Sequence, residues 1–130
     1  MKRILLLSAW LITTAHAQLT FNALEKMQEP FSFKQQSIIA RLMSTQQKQI
    51  DDGKLTEFES RCISSNMVIM FGDDNAERFT SIAEKAYAHD MSSLSLEDIN
   101  FMQTINDKYM SALAIVADEC SQESTKEEHE

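Results

Sequence analysis

The sequence predicts an all-α fold, a compact bundle of four or five helices with one disulfide, and three observations carry that expectation. Glycine occurs only at Gly53 and Gly72 and proline only at Pro30, while the strong helix formers Ala, Glu, Gln, Lys, Leu and Met abound. Apolar residues recur at steps of three and four between those breakers, and no stretch alternates apolar with polar as a half-buried strand would. The two cysteines, Cys62 and Cys120, fall on the apolar stripes of two different helical segments.

Residues 1–17 read as a leader rather than part of the bundle. Lys2 and Arg3 supply a positive head, Ile4 to Ile12 an apolar run, and Ala15-His16-Ala17 the small residues that flank a cleavage point. The run falls well short of the ~20 apolar residues a spanning helix needs, so removal between Ala17 and Gln18 is expected, with no membrane insertion afterwards. The expected location is the periplasm or the exterior of a bacterial cell. Residues 18–120 should form a single helical domain, and residues 121–130, polar and without apolar periodicity, a disordered tail.

The first helix is predicted from Thr20, its cap, to Glu29, with Phe21, Leu24 and Met27 on one side and Pro30 enforcing the stop. Ser32 caps the second, over 33–51. Ile38, Ile39, Leu42, Met43 and Ile50 make its apolar face, and the polar stretch 44–49 is expected in water. Gly53 then supplies the left-handed turn after a helix end. The third helix, 54–71, carries Leu55, Phe58, Cys62, Ser65 and Ile69 as its seam and closes at Gly72. The fourth, capped by Asp73 or Asp74, reaches about His89, with Phe79, Ile82, Ala83, Ala86 and Tyr87 at helical spacing. After a polar linker around Met91 to Leu94, Ser95 and Asp98 form a variant capping box for the last helix. Its seam reads Ile99, Met102, Asn106, Tyr109, Leu113, Val116 and Cys120.

In an oxidising compartment two cysteines are most simply one intramolecular bond, here stapling the third helix to the last. No Cys-x-x-Cys pair or flanking base marks either thiol as reactive. The chain has 12 basic against 20 acidic residues, and loss of Lys2 and Arg3 makes its net charge of −8 more negative still. That sign excludes nucleic acid, whose phosphates require a basic face, and disfavours anionic membrane surfaces. It suits solubility or a basic protein partner. The surface considered first for such a partner comprises Asp51, Asp52, Asp73, Asp74 and Glu77.

Residues of a type that carries chemistry are few. The segment from Asp52 through Gly53 and Leu55 to Glu59 resembles the second half of an EF-hand calcium loop, with Gly53 at the sharp turn and Glu59 at the bidentate position. Extended backwards, that loop puts Lys48 and Ile50 where oxygen ligands belong. A helix-ending glycine between two antiparallel helices accounts for the same residues. Met67, Met70, His89 and Met91 have spacings a copper site uses, although methionine also fills irregular helical cores. No Gly-x-Ser-x-Gly elbow or His-Glu-x-x-His element occurs. The carboxylate pairs Asp51-Asp52, Asp73-Asp74 and Glu97-Asp98 all sit at helix ends. The expected function is therefore non-enzymatic and without a cofactor: binding of another protein in the cell envelope, as an inhibitor, immunity or escort protein. The alternative is a periplasmic metal-binding protein using the Met/His positions or the degenerate loop.

Overall fold

The computed structural model describes residues 22–129, with side chains as far as Ser124. The leader at 1–17 and the expected cap Thr20 lie outside the described residues. Within them are six α-helices and one 3-10 turn, with no strand. They are α1 (Ala23–Lys26), α2 (Phe33–Thr45), α3 (Gln47–Asp51), α4 (Glu57–Phe71), α5 (Asp73–Tyr87), the 3-10 turn Met91–Ser93, and α6 (Leu96–His129).

The first helix is shorter than the sequence pattern suggests because Asn22 caps it, accepting the Glu25 N–H on its side chain. Ser32 caps α2 in a reciprocal capping box with Gln35. The expected second helix breaks in two at Gln46, whose backbone leaves helical geometry (φ −102°, ψ 3°). The polar stretch expected in water is not all there. The Gln46 carboxamide docks on α4, accepting from the Ser60 hydroxyl at 2.6 Å and donating to Ser64 at 3.5 Å.

Helix α4 is the axis of the molecule, since α1, α2, α5 and α6 all pack on it. A helix surrounded in this way must bury nearly its whole circumference, and the single seam expected for it is accordingly too narrow. Ser60, Ser64, Ser65 and Asn66 are buried beside Cys62, Met67, Val68 and Phe71. Burying polar groups is costly unless they are paired. Asn66 meets that requirement by donating to the carbonyls of Ala23 (3.0 Å) and Cys62 (2.8 Å), which also ties α1 to α4. Thr56 and Glu59 cap its start reciprocally.

Gly72 ends α4 and begins α5 at φ +82°, a conformation that L side chains rarely adopt. It is Gly72 rather than Asp73 or Asp74 that holds the cap position of α5, and no side chain caps there. Asp73 instead accepts from the Gln35 amide on α2 at 3.0 Å. At the head of α6 the Ser95 and Asp98 capping box forms as the spacing predicts.

Two apolar clusters make the core. The larger joins Ile38 and Leu42 of α2 to Met67, Val68 and Phe71 of α4, Ala76 of α5 and Ile105 of α6. Within it the Phe71 ring lies 5.2 Å from Phe79 and 5.0 Å from Tyr109, tilted contacts worth about 0.5–1.5 kcal/mol each beyond area burial. The smaller comprises Ala23, Val116 and the cysteines. Cys62 and Cys120 are bonded, Cα to Cα 5.8 Å, stapling α4 to α6.

The expected disordered tail is corrected in part: α6 continues past Cys120 to His129. No glycine or proline interrupts the chain there, so nothing stops propagation. Ser124 is buried, and its hydroxyl meets that of Thr56 at 2.7 Å, extending the Val116 and Cys120 stripe by one turn. No helix of the described residues is long and apolar enough to cross a membrane.

Candidate functional site

The last helix is wider in apolar residues than its partners can cover. Its first half packs through Phe101, Ile105 and Tyr109, and its second through Leu113, Val116 and Cys120. The row predicted as the start of the core seam, Ile99, Met102 and Asn106, lies one step around the helix from that contact line. Ile99 is 45% exposed, and Met110, four residues beyond Asn106, is 51% exposed. The predicted seam alternates steps of three and four, a repeat of about 3.5 residues, which drifts around a straight helix of about 3.6 residues per turn, so the contact line and the row part company.

Facing this row across a gap is α5, which approaches α6 only weakly along the backbone. Phe79, Ile82 and Ala86 form that wall, and Met91 and Leu94 around the 3-10 turn close one end. The result is an apolar groove of about 690 Å³, inside the range of roughly 300–1,000 Å³ that ligand sites occupy. Three methionines, Met91, Met102 and Met110, line it. Thioether side chains are unbranched and repack around different shapes, a property typical of surfaces that accept apolar partners.

The polar atoms of the groove are few. Asp98 sits at its head, approached by Arg78 at 3.8 Å and Lys85 at 3.9 Å. The Ser95 backbone N–H holds the Asp98 carboxyl below the ordinary aspartate value, with Lys85 and Arg78 adding to it. Arg78 also stacks on Phe101, its guanidinium carbon 4.5 Å from the ring centre. Asp107 is exposed on the rim with no ion pair among the described residues.

The acidic residues singled out from the sequence do not converge. Asp51 and Asp52 end α3, ahead of α4, whereas Asp73, Asp74 and Glu77 follow its far end, about 20 Å away along the helix axis. Asp74 is fully exposed, with Lys34 at 3.9 Å. Glu77 joins Glu84 in clamping Arg41 of α2, at 2.7 and 2.6 Å. The Arg41 bond holds the Glu84 carboxyl below its usual range, and the two carboxylates raise the arginine above its own. This clamp fastens α2 to α5 and leaves Glu77 already paired.

The metal candidates are likewise dispersed. Met67 is buried in the larger core cluster and Met70 packs against both clusters. His89 and Met91 lie at the opposite end of α5, about 22 Å from Met70 by helix length. His89 is exposed at φ 58°, ending α5 in the left-handed conformation. In the EF-hand-like segment Asp52 is the C-cap of α3, Gly53 makes the turn at φ 76°, and Glu59 accepts the Thr56 N–H at 3.2 Å. Among the described residues no three His, Cys, Asp or Glu side chains gather as metal ligands would.

Of the groove residues, Leu94, Met110 and Asp107 were not singled out as a site from the sequence, and Met91 was singled out only as a metal candidate. Their signal was present only as excess: an apolar stripe on the last helix broader than one packed seam. Comparison with protein-family models, curated proteins and solved structures finds no match to this chain.

Proposed function

We propose that this protein is exported to the bacterial envelope and acts there without catalysis, by binding another protein through the groove between α5 and α6. The observation that carries the reading is an open, methionine-lined apolar trough beside a core that closes in two clusters, whereas the other exposed large apolar residues, Phe33, Tyr87, Leu96 and Ile115, lie outside the trough. Apolar patches of this kind on small proteins mark interaction sites more often than they persist unused. The Cys62–Cys120 bond supports the compartment, because such bonds persist where the surroundings are oxidising. The acidic balance supports a partner of opposite charge. An inhibitor, immunity or escort role fits these properties.

The test places a photo-crosslinking amino acid at Met102 in the groove, or at Lys48 on the exposed α3, in the full chain expressed in its own cells. Protein adducts specific to Met102 are the expected result. Equal labelling from both positions, or none from Met102, overturns the proposal.

A further inference from the structure

We infer that the groove receives a basic amphipathic helix of about four turns, contributed by the partner; this rests on the binding function proposed above. Length is the first argument. From Asp98 to Leu113 the lining residues of α6 span roughly 22 Å at 1.5 Å per residue, which is the run of a four-turn helix. The trough is open along its side rather than closed over, since Met91, Ile99 and Met110 are each about half exposed. A small enclosed ligand would leave most of that length in water.

Backbone chemistry then selects the type of segment. A strand laid over this floor would place most of its N–H and C=O groups against Phe79, Ile82, Met102 and Met110, which cannot bond them, with only Gln103 and Asn106 along that stretch to meet a few. No sheet edge exists among the described residues to receive a strand either. A helix satisfies its own backbone internally and presents apolar side chains at i, i+3, i+4 and i+7, the mode in which flexible methionine-lined grooves hold helices.

Charge selects the sign. Arg78 and Lys85, the basic residues nearest the groove, are both directed at Asp98. Asp107 is left unmatched on the rim, and the exposed Asp90 and Glu97 flank the end closed by the 3-10 turn. A helix whose flanks carry lysine or arginine meets these carboxylates while its apolar face meets the floor, and the negative charge of the whole chain steers it there.

The experiment uses the mature protein with its disulfide intact and a labelled synthetic helix of about 16 residues, leucine on one face and lysine on the other. Two comparison peptides and one lipid probe accompany it: the same composition in scrambled order, the same pattern with glutamate for lysine, and an uncharged fatty-acyl probe. Expected is saturable binding of the patterned lysine helix, at least tenfold tighter than the scrambled or glutamate peptide. It should weaken several-fold between about 50 and 200 mM salt, and about tenfold on Met102→Glu or Met110→Lys. Both replaced methionines lie at the surface of the groove, and an unchanged thermal melt verifies that the variants fold. Asp107→Lys should reduce affinity several-fold while leaving the glutamate peptide's binding no weaker.

Equal binding of patterned and scrambled lysine peptides, equal binding of the glutamate helix, preference for the acyl probe, or occupation of the groove by a second copy of the chain each overturns the inference. A groove-specific cellular adduct without binding of the lysine helix would sink this inference and leave the proposed function standing. Absence of the adduct would sink that function itself.

Discussion

Replacing both cysteines by alanine removes the one covalent link between α4 and α6, and its cost follows from chain statistics. The bond joins positions 58 residues apart. Closing a loop of that size removes about 14 cal/mol/K of entropy from the unfolded chain, or about 4 kcal/mol at 25 °C. Both cysteines are fully buried, so alanine is preferable to serine, whose hydroxyl would be left without a partner. Loss of the two sulfurs from the smaller cluster adds on the order of 1 kcal/mol. For a domain of about 100 residues, 4 kcal/mol corresponds to a fall in melting temperature of roughly 15–30 °C. Thermal and urea unfolding followed by circular dichroism at 222 nm measure it, with wild type plus reductant as the matched control. The urea slope should rise, because the released unfolded chain exposes more surface. If fully reduced wild type, its thiols verified by alkylation, melts within about 5 °C of the oxidised protein, the loop-entropy reasoning fails.

Gln46→Ala should cost about 1–3 kcal/mol by leaving Ser60 and Ser64 without their partner, whereas the exposed neighbour Gln47→Ala should cost under about 0.5, both read from urea midpoints. Asn66→Ala should cost about 2 kcal/mol and release α1, seen as faster amide hydrogen exchange over residues 23–26. Gly72→Ala, at a backbone conformation close to glycine-only, should cost about 1–3 kcal/mol although nothing lies within 4 Å to clash with the new methyl. The Arg41 bond lowers the Glu84 carboxyl, so its contribution is present at neutral pH and disappears as pH falls through the carboxylate range. The stability gap between wild type and Glu84→Gln should accordingly close below about pH 4, as measured by urea unfolding across pH.

Local elements were legible because local chemistry makes them. Ser32 with Gln35, and Ser95 with Asp98, cap their helices through neighbours three residues away, and Gly53 and Gly72 turn the chain wherever they occur. The cysteine pairing was legible too, since two thiols on two apolar stripes leave one intramolecular arrangement. The break at Gln46 was not, because the carboxamide leaves the expected helix to bond serines of α4 that are distant in sequence. Nor was the burial of Ser60, Ser64 and Asn66, polar residues that read as surface until four other helices surround α4.

The sequence by itself determined the helical class, the caps at Ser32 and Ser95, the glycine turns, the disulfide and the acidic character, all properties of residues within a turn of one another or of simple composition. Tertiary structure alone decided which apolar stripe becomes core and which becomes groove. Ile99, Met102 and Met110 have the same periodicity as Leu113 and Val116; what separates them is that α1 and α4 cover one row of α6 while α5 stands off from the next. Periodicity reports that a face is apolar, and only the placement of neighbouring helices says whether anything has been set against it.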